Sequence, residues 1–297
     1  MTGKQHTVSR GVPFNLFERL SRPFRYRELL LNLVRKELKV RYKDSVLGFM
    51  WSMLNPVLYL VVFYVVFDLF LGQAVPEFHF FLLSGLLPWT LFATSVQSGA
   101  GSVVANGALL KKVYFPREVL PMSAVGGALF HFGLQMMVLM AFLLIFRHDF
   151  ISEYLVLVPA ALAVELLLVA GIALLLSGLT VYLRDIQHFL ELALLAWIWM
   201  TPIIYPVADV FTKLNPRGMF GLYLLNPMTP IVLSFQRAFY NQVAPIDKTG
   251  NARQVLLDEP VWWYLEKLGY VALLGIAFLV VGQIVFAKAE GNFAEEL

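Results

Sequence analysis

Cysteine is absent from this 297-residue chain, which excludes disulfides, thiolate chemistry and cysteine-ligated metal. Charge is scarce: 14% of residues are Asp, Glu, Lys or Arg, while 59% are hydrophobic. A soluble domain carries about 25% charged and about 45–50% apolar residues. One soluble domain of this length needs a polar exterior that this composition cannot supply, so the excess apolar surface faces lipid. A cytosolic enzyme, a secreted domain and a disordered chain are thereby excluded. No G-x-x-x-x-G-K-[ST] segment is present to cradle ATP phosphates, no D-x-D occurs, and the five histidines are scattered, leaving no metal-ligating cluster. There is no internal repeat and no low-complexity run.

What is present is a series of long apolar runs. A bilayer core of about 30 Å needs roughly 20 apolar residues in a helix. Six segments qualify: Gly48–Gly72, His79–Ser102, Met122–Phe146, Tyr154–Val181, Phe189–Tyr205 and Tyr264–Ala287. The expected fold is an all-α polytopic membrane protein of six spans. A basic arm over residues 1–47 precedes a six-span membrane domain over 48–297. The first run is too long for the ~7–15 residues of a signal h-region, and a charged stretch precedes it, so it reads as a span and not a cleaved leader. Lys and Arg crowd the arm before Gly48, are missing from Gln73–Phe78, and return as Lys111, Lys112 and Arg117 after the second span. The positive-inside rule then puts both termini in the cytoplasm and Pro206–Trp263 outside.

Phe24–Lys43 is an amphipathic helix by pattern, with cations on one side and leucines and valines on the other, an arrangement suited to anionic head groups. Glu37 and Arg41, spaced i, i+4, fall on the apolar side, either as a snorkelling pair or as a contact to a cytoplasmic partner or a substrate head group. Deep in the spans stand His131 and Glu165, each about 15 Å in from one surface at 1.5 Å per residue. They are expected either to hydrogen-bond to each other or to face one polar cavity. Two such residues are few for a proton relay, which places the energy source on another polypeptide. Pro202, Pro206, Pro216, Pro227 and Pro230 break the chain after the fifth span into short pieces, with too many apolar side chains between them for a free aqueous loop. Arg147-His148-Asp149 reads as a solvated external turn.

Between the second and third spans lies Asn106-Gly-Ala-Leu-Leu-Lys-Lys-Val-Tyr-Phe-Pro-Arg-Glu-Val-Leu-Pro121. Asn106 can cap a short helix. Tyr114 and Phe115 stand outside the bilayer beside charge, either as interfacial aromatics in a plain turn or as a docking surface for another protein.

Together with Glu37-Leu-Lys-Val-Arg-Tyr42, Leu47-Gly-Phe-Met-Trp51, Asn55-Pro56, Gly85-Leu-Leu-Pro-Trp89, Arg184-Asp185, Thr201-Pro-Ile-Ile-Tyr-Pro206 and Asn226-Pro227, this segment makes nearly the whole chain resemble the ABC type-2 permeases that export polysaccharides. The resemblance implies a coupling helix at about 108–121, with Lys111, Lys112, Val113, Tyr114, Phe115, Pro116, Arg117 and Glu118 seated on a separate ATPase. It implies a cytoplasmic gate helix carrying Glu37, Lys39, Arg41 and Tyr42. It implies external re-entrant helices at about 206–240, with an outer gate at Thr201, Pro202, Tyr205 and Pro206. The working unit would be a homodimer of this chain with two ABC ATPase subunits, which bind the ATP and Mg, in a bacterial plasma membrane. This chain itself would hold no cofactor, no metal and no nucleic acid.

The substrate implied is a lipid-linked polysaccharide, an O-antigen or teichoic-acid-like polymer. Tyr59, Phe63, Tyr64 and Phe67 cluster on span one, where rings could stack on a sliding glycan or simply pack against lipid and helices. The alternative within transport is a type-2 permease for drugs or small lipids. A membrane glycosyltransferase or acyltransferase is disfavoured, since such enzymes need clustered acids or histidines at a membrane face.

Overall fold

A computed structural model describes residues 21, 25–43, 45, 48, 50–63, 65–66, 70, 75–246, 250, 252–291 and 293–296, with backbone alone for residues 41, 42, 52, 53, 55, 56, 63, 294 and 295. Among the described residues the protein is all-helical, apart from one isolated antiparallel bridge between Ile246 and Ala252. Tyr64 and Phe67, and the side chains of Arg41, Tyr42 and Phe63, lie outside the described residues.

The first helices are α1 (Arg27–Tyr42) and α2 (Met50–Phe63). Then come α3 (Phe78–Ala105), the single turn α4 (Gly107–Leu110), α5 (Val119–Ile145) and α6 (Leu157–Thr180), the last preceded by a 3-10 turn at Glu153–Val156. α7 (Ile186–Trp197) leads through a second 3-10 turn to short α8 (Val207–Leu214), α9 (Phe220–Leu224) and α10 (Met228–Phe239). α11 (Val261–Glu290) and a last turn, α12 (Phe293–Glu296), complete the order.

Four segments, Phe78–Ala105, Val119–Ile145, Glu153–Thr180 and Val261–Glu290, are long and apolar enough to cross a membrane. The fifth expected span is shorter: its helix and 3-10 turn run Ile186–Met200 and stop before Pro202 and Pro206. Proline lacks the amide that would continue the ladder and disfavours helix in the residue before it. The first expected span is described as α2, 14 residues, with its continuation largely outside the described part.

The most intimate contact is between α6 and α11, and glycines permit it. A Cβ on Gly171 would collide with the backbone nitrogen of Leu279, and one on Gly282 would lie 2.5 Å from the Gly171 carbonyl oxygen. Gly275 and Gly178 continue the same seam, with Cβ approaches of 3.1 Å to Leu168 and 3.3 Å to Phe286 backbone. Lipid gives no hydrophobic drive to pair helices, so close backbone approach and dispersion hold them, and small residues at the seam are what make that approach possible. α3 joins the other side of α6 at Gly99, where a Cβ would meet the Ala173 methyl at 2.6 Å.

α10 lies within the segment of about 206–240 expected to be re-entrant. All of its residues are buried, and it packs against α3 and α6. Its Gln236 amide lies over Gly85 of α3 and donates to the Pro202 carbonyl at 2.9 Å. The proline-broken pieces thus wrap a central short helix. Beyond it Val255, Leu256 and Leu257 are buried, Arg253 pairs with Asp209 at 3.1 Å and the Ala208 amide donates to the Val255 carbonyl, so residues 253–257 are packed down onto α8.

Candidate functional site

Polar side chains gather at two ends of this bundle. The basic end carries the cytoplasm-facing cations of the sequence reading, and the far end carries the broken helices.

At the basic end, α1 lies across α5, and Gly126 and Gly127 let it approach: Cβ atoms there would come within 2.9 Å of Val34 and 3.2 Å of Glu37. Between α1, α3, α5 and α7 opens a cavity of about 710 Å³. Lys36 and Glu37 line it from α1, Gln97, Ser98 and Ser102 from α3, Ser123 from α5, and Gln187 from α7. Lys36 donates to the Asn106 side-chain oxygen at 2.9 Å, and Asn106 donates in turn to the Ser102 carbonyl at 2.8 Å. Asn106 therefore ties α1 to α3 and makes no side-chain cap on α4, contrary to the expectation. Lys39 points to solvent. The sequence reading did not find this cavity; its signal was the small and polar run Ser95-Val-Gln-Ser-Gly-Ala-Gly-Ser102 inside an otherwise apolar span.

The connector after α4 also differs from expectation. Helix ends at Leu110, and residues 113–116 are irregular before α5 begins, because Pro116 cannot continue a ladder. The expected coupling helix of about 108–121 is thus one helical turn, an irregular strap over 111–118 and the start of α5. Tyr114 is 98% exposed, with Lys111, Lys112 and Val113 beside it, but Phe115 is only 8% exposed. Phe115 sits in a cluster with Val119, Phe286 and Phe293, and Glu118 is fully buried. Of the eight expected coupling residues, Lys111 through Tyr114 form the outward face, while Phe115 and Glu118 are turned into the chain.

At the far end, Asn226 organises the pieces. Its oxygen accepts from the Trp197 indole at 2.8 Å and from the Met228 amide at 3.1 Å. Its nitrogen donates to the Met200 carbonyl at 3.2 Å and to the Thr201 hydroxyl at 3.1 Å. An amide side chain has two donors and two acceptor sites here, and all are used. Tyr205 donates to the Trp199 carbonyl at 3.0 Å and meets the Tyr223 hydroxyl at 3.2 Å. The expected outer-gate residues Thr201, Pro202 and Tyr205 are therefore brought together, with Pro206 starting α8. Trp197, Trp199, Tyr205 and Tyr223 line a second cavity of about 700 Å³. Of the expected channel residues, Tyr59 is exposed on α2, and the side chains of Phe63, Tyr64 and Phe67 lie outside the described residues.

The far end is also pinned laterally. His148 lies 2.7 Å from the Glu77 carboxylate through Nδ1 and 3.0 Å from the Tyr240 carbonyl through Nε2. Gln242 donates to the same Glu77 oxygen at 2.6 Å, and the Tyr240 hydroxyl donates to the Pro76 carbonyl at 2.8 Å. Burial pushes the Tyr240 phenol above its ordinary range, which keeps it a donor. Glu77, Arg147 and Asn241 adopt left-handed φ of 51°, 53° and 56° at this joint. Such conformations cost about 1–2 kcal/mol each and persist where ordered contacts offset them. His148 is thus a buried cross-tie, not part of a solvated turn.

His131 and Glu165 do not form the expected hydrogen bond. Glu165 is fully buried and neither of its carboxylate oxygens has a hydrogen-bond partner. Nor does either residue line the two cavities above. Hydropathy placed both at similar depth, but depth does not fix which way a helix face turns.

The ABC-2 type transporter profile matches residues 28–240, which include both cavities and the connector. An O-antigen export system permease protein RfbA of Myxococcus xanthus is 35% identical over 274 residues, 92% of this chain and 97% of the relative. A protein of the same description from Klebsiella pneumoniae is 30% identical, covering 91% of this chain and 95% of its own length. The polysialic acid transport protein KpsM of Escherichia coli is 22% identical over 67% of this chain and 76% of the relative.

Proposed function

The chain belongs to the ABC-2 type transporter family, and from that premise we propose that it exports a lipid-linked polysaccharide, such as an O-antigen, from the cytoplasm to the outer face of a bacterial inner membrane. It is a multi-pass membrane permease of an ABC exporter of polysaccharide, a transport component. The observation that carries the substrate class is the end-to-end match to O-antigen export permeases.

In this reading the basic end faces the cytoplasm. α1 is the gate helix, and the cavity beneath it is the portal through which the glycan is admitted. Gln97, Ser98 and Gln187 supply neutral donors and acceptors suited to sugar hydroxyls, and cations on α1 sit at head-group level. The aromatic cavity at the far end offers ring faces on which sugars of varied linkage can stack. The sealed segment from Thr201 to Phe239 is the outer gate. α2 and α7 supply the first and fifth of six crossings.

α7 and the 3-10 turn after it leave Phe189, Leu192, Leu195 and Trp199 uncovered, which supports a second copy of this chain completing the conduit. Lys111 to Tyr114 is the surface offered to an ABC ATPase, two copies of which bind ATP and Mg. A large exposed aromatic flanked by cations is costly in isolation and suits a covered groove.

Co-purification followed by reconstitution tests this. The permease with its ATPase should sequester lipid-linked glycan in vesicles only when ATP is supplied, and the permease alone should not. Uptake of a hydrophobic dye without glycan uptake would overturn the substrate class.

A further inference from the structure

A helix ends with carbonyls that have no partner of their own and with a negative end to its dipole. At the basic end of α11 those carbonyls are capped from elsewhere in the chain. Arg117, in the connector, donates through Nη1 to the Glu290 carbonyl. Tyr182, just past α6, donates to the Ala289 carbonyl at 3.0 Å. The Arg117 guanidinium also lies 5.6 Å from the ring centre of Phe293, which is buried and packs edge-on against Phe286 at 5.4 Å. Phe115, turned inward from the strap, joins the same cluster. The last two turns of α11 are thus gripped by the connector on one side and by the end of α6 on the other.

We propose that Arg117 is a positioning residue for coupling: it clasps the connector to the end of the last span, so that displacement of the connector moves α6 and α11 together. The glycine seam makes this pair behave as one body, since Gly171 and Gly282 leave the two backbones no room to slide independently. The far ends of the same pair meet the outer segments, where Tyr154 donates to the Glu259 carbonyl at 3.1 Å and the Arg237 guanidinium of α10 lies 3.8 Å from the Tyr154 ring centre. A push at Tyr114 therefore reaches the buried α10 through the paired helices α6 and α11. This rests on the reading of Lys111 to Tyr114 as the ATPase contact.

The test uses the co-purified permease–ATPase complex and scores glycan exported per ATP hydrolysed. Arg117→Ala should lower export at least tenfold while ATP hydrolysis stays within twofold, because the stroke no longer reaches α11. Arg117→Lys, which can still donate to Glu290 and sit over Phe293, should recover export to within about threefold of the unaltered complex. Export by Arg117→Ala at the unaltered ratio would overturn the proposal. So would a failure of Arg117→Ala and Arg117→Gln alike to accumulate in membranes, since Arg117 would then serve folding only. Tyr114→Ala separates the two readings: it should release the ATPase from the complex, and retention of the ATPase would sink the docking surface whatever Arg117 does.

Discussion

The two ends of the bundle handle polar groups in opposite ways. At the far end Asn226 bonds Trp197, Met200, Thr201 and Met228, Tyr205 meets Tyr223, and His148 meets Glu77, so the broken pieces are cross-tied. At the basic end Gln97, Ser98 and Gln187 line an open cavity of about 710 Å³. A cross-tied cluster closes a path, since opening it strands buried donors, whereas an open cavity lined by neutral amides and hydroxyls can admit a hydroxyl-rich ligand. The difference teaches which end waits for cargo and which end must be forced.

The sharpest way to break that contrast is Asn226→Ala. It leaves the Trp197 indole and the Met228 amide without their acceptor, at a cost of about 3 kcal/mol. Unfolding of the detergent-purified chain should show that loss, and Asn226→Asp, which keeps the acceptors, should lose less. His148→Ala removes the tie from Glu77 to Tyr240 and should cost about 2 kcal/mol in the same measurement. Tyr205→Phe deletes one hydroxyl between Trp199 and Tyr223 and should cost about 1 kcal/mol. Gln97→Ala with Gln187→Ala removes one long contact of 3.5 Å from Gln97 to Glu191 and the packing of Gln187 over Gly101, and should change stability by only about 0.5 kcal/mol. Their export rate should nonetheless fall several-fold. A basic-end pair as costly to stability as Asn226 would erase the distinction.

The long spans were legible because a bilayer demands continuous apolar runs. His79–Ser102 and Tyr264–Ala287 fall inside the helices Phe78–Ala105 and Val261–Glu290. α10 lies in the stretch expected to be re-entrant, but its complete burial was not legible, because Thr229, Ser234, Gln236 and Arg237 are polar and are covered by what α3 and α6 provide. The seam of α6 and α11 had a readable signal in Gly171 and Gly178, and in Gly275 and Gly282, since residues seven apart share a helix face. Phe115 looked like Tyr114 in sequence; only the fold turns one inward. Asn226 stood out as half of an Asn-Pro pair, yet its four bonds come from residues brought near by the proline breaks. The hydrogen bond expected between His131 and Glu165 failed because equal depth says nothing about facing direction.

The absence of cysteine permits the most direct measurement of the central claim, that the open end faces the cytoplasm and the sealed end faces out. Single cysteines at Ser98 in the cavity, Tyr114 on the connector and Ile246 beyond α10 can be challenged with a membrane-impermeant maleimide, in intact cells and in inverted vesicles. Ser98→Cys and Tyr114→Cys should label only in inverted vesicles, and Ile246→Cys only in intact cells. Labelling of Ser98→Cys or Tyr114→Cys from outside the cell would contradict the account.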